Sequence, residues 1–505
     1  MNSTIIPDRY WRIYNSKRFK IFSGIIFIGI ILVSLLFKFS YLKIGYDTGL
    51  YHLPKIQWLL EYGHVPGLAN LDGRLGFYSI YFYLGAVITW IFGSPNAALY
   101  LNLFFISLFL VWLTIRIIQT QRVVWLLLYL ISLVGLLYYQ PLMKSLYQDV
   151  GTYILGIIVL LIFLEKADQR KKISSAWILL AVVILSSIKF SMIFSVLLLV
   201  FHMHRLPSEL FSKENAWITI LSAFLFGILI WHNYWITGWL IYPSSFLDVF
   251  NPDWKVPEYL VENQQSVTSA FAKSRGSLEH MVEVMKMDLV EWVPLWWAQN
   301  QTMQWFYFIV IGTLVATILT IIIRFKSLDY NLLTLASTVV FGAIAWFLTA
   351  PYLRFGFVWL NALVLVAIYL LLDRYSTDKY LVWIKLVSII IVSLLFVKKT
   401  SLGSAITEGY PPLKFDLRIE IPDVPLKTLK YKPDTAEVFY TPKREERAYW
   451  PGRLPVASRM LTDSLKPFIN DVPRYRGKAL NKGFYTDSVL SVKKLSPDSL
   501  KAYFK

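Results

Sequence analysis

Long runs of apolar residues, separated by short polar stretches, dominate the chain. Runs such as Ile21 to Phe37, Trp305 to Ile323 and Leu332 to Ala350 approach the roughly 20 residues that a helix needs to cross a bilayer core. They lack the amphipathic period of a soluble domain. Because backbone polar groups must be paired inside the bilayer, these runs predict membrane-spanning helices.

The pattern predicts an all-α polytopic membrane protein with about eleven spanning helices. Short loops rich in Lys and Arg are expected in the cytoplasm, so the N-terminus is predicted inside and the C-terminus outside. The apolar segment 77–92 is short and aromatic and is expected to lie at the outer surface instead. The predicted spans are 21–42, 97–115, 123–139, 150–165, 175–188, 190–204, 216–231, 305–323, 332–350, 357–372 and 380–397.

This topology divides the chain into a transmembrane domain, residues 1–397, and an extracytoplasmic C-terminal region, residues 398–505. Two long loops of the first domain face outside: 43–96, with surface helices that include an amphipathic one over 53–60, and 232–304. The first apolar run has no small-residue cleavage site behind it, so it is expected to be retained rather than removed as a signal peptide.

Composition narrows the class of partner. Of 505 residues, 56% are hydrophobic and 16% charged, and the formal net charge is +18. The basic residues lie beside apolar runs and in the tail, without a basic stripe interleaved with aromatics, so the sequence favours anionic membrane lipids and argues against nucleic acid. The absence of cysteine excludes disulfides and Cys-ligated metals.

Polar residues on the predicted outside loops are the candidates for chemistry. Asp47, His52 and Arg74 lie in the first loop, which could also be an ordinary interfacial loop. Asp149 begins the helix after the second outside loop, where a carboxylate also serves as a helix cap. Arg354 lies in the short fourth loop, where its planar fork suits a phosphate.

Three further residues are candidates for contact with a substrate. Lys189 breaks an apolar block, and it is interpreted either as a snorkelling lysine or as a phosphate contact. Asn233 and Tyr242 lie in the third outside loop, among aromatics that line sugar sites but also populate the interfacial belt.

Several motifs resemble known families. The order of a first helix, an outward Asp, surface helices, a helix closing in Arg and a second outward Asp resembles the GT-C superfamily of polyprenyl-phosphate-sugar-dependent glycosyltransferases. The segment WIFGSPNAALYLNLFFISLFLVWLTIRIIQTQR is similar to a stretch of protein mannosyltransferases and of the transferase that adds 4-amino-arabinose to lipid A. YDTGLYHLPKIQWLLEYGHVPGLANLDGRLGF, TGWLIYPSSFLDVFNPDWKVP and APYLRFG resemble an uncharacterised family of bacterial multi-pass membrane proteins typified by a Leptospira member.

The resemblance implies an inverting transfer of a sugar from a polyprenyl-phosphate donor to a glycan, lipid or protein acceptor, on the outer face of the inner membrane. It implies that Asp47 is the general base, that Asp149 is the second acidic position, and that Arg74 and Arg354 contact the donor phosphate. A divalent ion, Mg or Mn, shared by Asp47 and Asp149 stays open, because hard oxygen ligands suit it while Thr48 stands where the superfamily often has a second acid.

Other functions fit the same membrane pattern. A transporter or flippase of lipid-linked glycans would also combine many helices with basic loops, but charges along a midplane path and paired broken helices are not evident. A glycan polymerase would fit the pattern too, as would a non-catalytic assembly subunit with a recruiting tail. Of these functions, the glycosyltransferase is the one that requires the outside acids and arginines to share one pocket.

Overall fold

The computed structural model describes residues 17–200, 202, 206–373, 381–422, 425–429, 439–442, 454–455, 472–477 and 479–487. Helices dominate these residues. The α-helices are α1 Lys17–Tyr41, α2 Leu53–Glu61, α3 Ile80–Phe92, α4 Leu101–Gln119, α5 Val123–Tyr139, α6 Gln148–Asp168, α7 Ser175–Ile188, α8 Leu197–Val200, α9 Leu206–Leu210, α10 Ala216–Thr237, α11 Glu258–Lys273, α12 Leu278–Val284, α13 Leu289–Gln299, α14 Gln304–Arg324, α15 Tyr330–Thr349, α16 Leu353–Leu372, α17 Leu381–Lys399 and α18 Leu402–Thr407.

Eight helical segments of the described chain are long and apolar enough to cross a membrane, judged by length and composition. Each contains at least 20 residues, which corresponds to about 30 Å of helix. The chain is therefore a membrane-embedded helical protein. The eight segments are Ile21–Tyr41, Pro95–Gln119, Val123–Leu142, Gln148–Asp168, Ala216–Thr237, Gln301–Arg324, Tyr330–Thr349 and Leu353–Leu372.

The remaining predicted spans have a more varied structure. Helix α7 has 14 residues, about 21 Å, and the predicted helix over 190–204 is instead a 3-10 stretch, Phe190–Val196, followed by the four residues of α8. Lys189 is extended, with φ −148° and ψ 123°, so the chain restarts there rather than continuing one helix. The predicted span 380–397 corresponds to α17.

Two compact units contain these elements. The first comprises the described residues of Met1–Ile44, Tyr100–Ser145 and Leu365–Glu420. In it, α1 packs against α4 and α17, and α5 packs against α4 and α17. The Lys385 ammonium on α17 donates to the carbonyls of Ile118 and Thr120 at the C-terminal end of α4, where carbonyls have no partner within the helix.

The second unit comprises Gly45–Leu99, Leu146–Val364 and the described residues of Ile421–Lys505. In its helical part, α7 packs against α10 and α6, and α15 packs against α6 and α14. Helix α3, at 13 residues, is about 20 Å long, shorter than a roughly 30 Å core; it lies in segment 77–92, which was expected at the outer surface. Helix α2 forms where a surface helix was predicted, but Lys55 and Trp58 are only 1% exposed.

The C-terminal region adds four strands that the all-α prediction missed. Strand β1 Leu426–Leu429 pairs with β2 Phe439–Pro442, and β3 Val472–Tyr475 pairs with β4 Phe484–Asp487, both antiparallel. Such four-residue strands carry little hydrophobic periodicity. Phe484 is completely buried in a core with Trp58, Val65 and Trp239, so β4 packs onto the first long loop.

Helices α15 and α16 lie in close contact beside the turn that joins them. Gly356 on α16 lies against the indole of Trp346, whose Nε1 donates to the Tyr352 carbonyl at 3.0 Å. Gly356→Ala would place a methyl group inside that tethered ring, so we expect a loss of about 1–3 kcal/mol in stability. Gly312→Ala is the control, because a Cβ there meets no atom within 4 Å. Thermal unfolding in detergent measures both, and equal melting temperatures would contradict the expectation.

Candidate active site

Asp47 lies six positions after Tyr41, the last residue of α1. It precedes a single π-helical turn, Thr48–His52, and its carboxylate makes no capping bond to that turn. π-Helical turns are rare and occur often at functional sites. The carboxylate is therefore available to side chains from other parts of the second unit.

Arg354 connects the two candidate acids. It lies on the first turn of α16, and its NH2 group donates to Asp47 Oδ2 at 3.1 Å, while its Nε lies 3.7 Å from Asp149 Oδ2. The guanidinium carbon also lies 4.6 Å from the Tyr147 ring centre. A rigid fork can reach two carboxylates at once in this way. Two acids that are 102 positions apart in the sequence thus share one cation.

Lys189 completes the cluster from the break after α7. Its Nζ donates to Asp149 Oδ1 at 2.5 Å and lies 4.6 Å from the centre of the Phe355 ring. A capping role does not describe the contacts of Asp149: Tyr147 is the N-cap of α6, and both oxygens of Asp149 face cations. Lys189 thus ends in a buried ion pair, which differs from a snorkelling lysine.

Asp47 and Asp149 differ in how far their side chains are exposed. The Asp149 side chain is 6% exposed and faces two cations, whereas the Asp47 side chain is 25% exposed and contacts one. A carboxylate held by two cations is a weak proton acceptor. Asp47 is therefore the acid of the cluster that an incoming group can reach.

His52 lies beneath the cluster and is buried. Its Nδ1 is 3.5 Å from Thr48 Oγ1, and its Nε2 has no hydrogen-bond partner among the described residues. Burial, together with the nearby Arg354 charge, lowers the pKa of His52 to about 3. His52 is thus a neutral ring at physiological pH, which can bond a ligand but adds no charge.

The structure places Arg74 elsewhere. Its Nε and NH2 groups donate to the two oxygens of Asp72, both at 2.9 Å, in a bidentate pair. Asp72 also accepts from the Arg74 backbone N–H at 2.9 Å and begins a 3-10 turn. A Cβ on the intervening Gly73 would contact the Tyr242 hydroxyl, so Arg74 and Tyr242 belong to neighbouring parts of the first and third loops.

Asn233 and Tyr242 lie together in a cleft of the second unit. Both are almost completely buried, at 2% and 3% exposure, and both line the same cavity. The Asn233 Nδ2 group donates to the Leu240 carbonyl at 3.1 Å. These two residues are therefore structural neighbours, as the sugar-site interpretation requires.

A partly buried chain of basic and phenolic groups was not predicted from the sequence. Lys55 Nζ lies 3.5 Å from His232 Nε2 and donates to the Phe77 carbonyl. The Tyr83 hydroxyl lies 2.5 Å from His232 Nδ1 and 2.6 Å from His64 Nε2. When Lys55 is protonated, the bonds run from Lys55 through His232 and Tyr83 to His64. His64 and His232 lie among the polar residues of the first and third outside loops, but nothing in the sequence indicates that Lys55 contacts His232.

Burial lowers the pKa of Lys55 from 10.5 to about 7. Between these values the unfolded chain binds more protons than the folded one, so the stability of the folded protein rises with pH from about 7 towards 10. We expect Lys55→Met to reduce this rise, by up to about 1.4 kcal/mol per pH unit.

Melting temperatures at pH 6.5 and 9 in one detergent measure the effect. Lys213→Met, at an exposed position, is the control and should keep the wild-type difference. If Lys55→Met has the same pH dependence as the wild type, then Lys55 does not release its proton near neutrality.

The donor set does not fit a divalent ion shared by Asp47 and Asp149. Arg354 contacts an oxygen of each acid, where such an ion would bind. Mg²⁺ and Mn²⁺ prefer about six oxygen ligands. Among the residues that the structure describes, no group of three or more His, Asp or Glu side chains could hold a metal. Positive charge at this site comes from Arg354 and Lys189.

A protein-family model matches residues 6–361, well over half of the 505-residue chain; it is described as a domain of unknown function, DUF8201. The chain belongs to this family. The matched span contains all four residues of the ionic cluster, Asp47, Asp149, Lys189 and Arg354, so the cluster lies within the DUF8201 domain. No curated protein matches the chain.

Proposed function

We propose that this DUF8201 protein is an inverting glycosyltransferase of the GT-C type, which moves a sugar from a polyprenyl-phosphate donor to an acceptor in cell-surface glycan synthesis. One observation carries the proposal: a reachable carboxylate, Asp47, shares Arg354 with a second acid that also holds Lys189. A base beside two cations is what displacement of a phosphate from an anomeric carbon needs.

Asp47 takes the proton of the acceptor hydroxyl. The acceptor oxygen then attacks the anomeric carbon from the face opposite the phosphate, the carbon–oxygen bond to the phosphate breaks, and the configuration inverts. The products are the glycosylated acceptor and the polyprenyl phosphate, and the proton remains on Asp47 until it is released to water. A single displacement requires one base and no covalent intermediate.

The charges of the cluster change in step with the reaction. With both acids ionised and both bases protonated, Asp47, Asp149, Lys189 and Arg354 sum to zero. When Asp47 becomes neutral, the sum becomes +1 and Arg354 loses its ionised partner at 3.1 Å. The departing phosphate gains one negative charge in the same step. The cluster thus stabilises the leaving group most strongly when that charge develops.

Asp149 acts as a positioning residue. Its two oxygens face Lys189 and Arg354, so it fixes both cations in a partly buried place where long side chains would otherwise lose order. His52, whose Nε2 is unpaired among the described residues, adds a neutral hydrogen-bonding group for the substrate.

The membrane arrangement follows from the same proposal. A polyprenyl chain requires the cluster to lie near the bilayer surface. Asp149 and Arg354 lie in the first turns of the apolar helices α6 and α16, so the N-terminal ends of these helices would lie near that surface. We place these ends on the outer face of the inner membrane, with a cytoplasmic N-terminus and an extracytoplasmic tail.

The test is a transfer assay with the purified protein in liposomes. Undecaprenyl phosphate carrying a radiolabelled glucose, mannose or galactose is supplied with membrane glycans as acceptor, and the label and released undecaprenyl phosphate are followed. Transfer from at least one donor is expected, and the corresponding residue should be missing from the surface glycans of a deletion strain. An unaltered set of surface glycans in that strain would contradict the proposal.

A further inference from the structure

A small cleft of the second unit lies beside the ionic cluster. Gln148 lines it and is the residue before Asp149 on the first turn of α6. Ser186 lines it from the end of α7, three residues before Lys189. The cleft and the cluster are therefore built on the same two helix ends.

Three polar atoms of the cleft lack hydrogen-bond partners among the described residues: Asn233 Oδ1, Gln148 Oε1 and Ser186 Oγ. Asn233 and Ser186 are only 2% and 5% exposed. A buried polar atom without a partner costs about 1–3 kcal/mol, so most proteins pair such atoms. Three of them around one cavity give a polar ligand that enters it three groups to which it can bond.

The lining determines the class of ligand. Its other members include the aromatic rings of Phe77, Tyr78 and Tyr242, and none of the residues that line the cavity is charged. Rings stack on the apolar faces of a pyranose, while amides and a hydroxyl bond its hydroxyl groups. An anionic or cationic group would find no counter-charge in this lining.

We propose that this cleft binds one uncharged sugar ring, whose hydroxyl groups bond to Gln148, Ser186 and Asn233 and whose face packs on the aromatic lining. The inference rests on the proposed function and deepens it, since the ring is either the donor's sugar or a sugar of the acceptor. Because Gln148 and Asp149 share the first turn of α6, the cleft and the groups that act on the phosphate are built on the same helix end.

The test measures binding to the full-length protein in lipid nanodiscs. The probes are undecaprenyl phosphate, undecaprenyl phosphate bearing glucose, mannose or galactose, and the three free methyl hexosides. The variants are Ser186→Ala and Gln148→Met, which remove unpaired polar atoms and should fold normally. Ser222→Ala on α10 is the control, because its buried hydroxyl already donates to Ile218 at 2.8 Å.

Each variant should weaken sugar binding by about two- to tenfold, as expected for one neutral hydrogen bond, without lowering the melting temperature. If binding weakens for a sugar-bearing lipid but not for bare undecaprenyl phosphate, the cleft holds the donor sugar. If it weakens for a methyl hexoside alone, the cleft holds the acceptor sugar.

Unchanged affinity for every sugar probe, relative to Ser222→Ala, would overturn the inference. If transfer by the wild type still depends on Asp47 in that case, the proposed function stands and only the cleft is misassigned. If the wild type neither binds undecaprenyl phosphate nor transfers sugar, the proposed function fails instead.

Discussion

Asp47→Asn is expected to lower the turnover of sugar transfer by about 10²–10⁴-fold, the range that a positioned general base contributes. The amide keeps the shape of the side chain but cannot take the acceptor proton. It also removes a negative charge that competes with the donor for Arg354, 3.1 Å away. The KM for the polyprenyl-phosphate donor should therefore stay the same or fall while kcat collapses.

Initial rates over a range of donor concentrations measure this split. Glu61→Gln is the matched control, since it removes an exposed acid from α2 in the same loop and should retain wild-type kinetics. If the Asp47→Asn protein transfers sugar at the wild-type rate, Asp47 is not the base. A parallel loss in kcat and in donor affinity would indicate a structural role.

Much of the membrane architecture could be predicted from the sequence, because the bilayer imposes a simple rule on it. Apolar runs of about 20 residues must be helical. The first helix and the pair over 332–350 and 357–372 follow that rule, and α3 is an apolar helix that is shorter than the rule requires. The rule weakens where a segment is short or polar: the predicted helix over 190–204 is largely a 3-10 stretch, and the strands of the tail were missed.

The candidate site, too, could be predicted from the sequence only in part. Asp47, Asp149, Lys189 and Arg354 were found because each is a charge beside an apolar run, and such charges have few stable environments. Which of them pair could not be read from the sequence: Arg74 binds its neighbour Asp72, whereas Arg354 reaches Asp47 across 307 positions. Gln148 and Ser186 are uncharged and carry no such signal, so only the packed structure reveals their unpaired atoms.

Arg354→Lys is expected to lower kcat/KM for the donor by about 10²–10³-fold, the usual effect of losing a group that stabilises the charge of the transition state. Lysine keeps the positive charge but has no fork, so it cannot hold Asp47 and Asp149 together and bond a phosphate oxygen as well. The KM for the acceptor should change little, because the acceptor meets Asp47 rather than the cation.

Arg354→Gln removes the positive charge altogether, so its kinetics must be compared together with the stability of the variant protein. It leaves Asp149 with Lys189 alone and Asp47 without the Arg354 contact, and breaking a buried pair typically costs about 3–5 kcal/mol. The partial exposure of Asp47 reduces this cost. Arg418→Gln is the control for the loss of one arginine, since that side chain is 86% exposed.

The double variant Asp149→Asn with Arg354→Lys separates chemistry from positioning. If Asp149 acts through the cations that it holds, its loss costs less once Arg354 has been replaced, because only Lys189 is then left for it to position, so the two effects on donor kcat/KM combine to less than their product. Independent roles would instead multiply. If the Arg354→Lys protein has unchanged donor kinetics, Arg354 does not bind the donor phosphate. The contact of one arginine with two distant acids would then not be explained by the reaction.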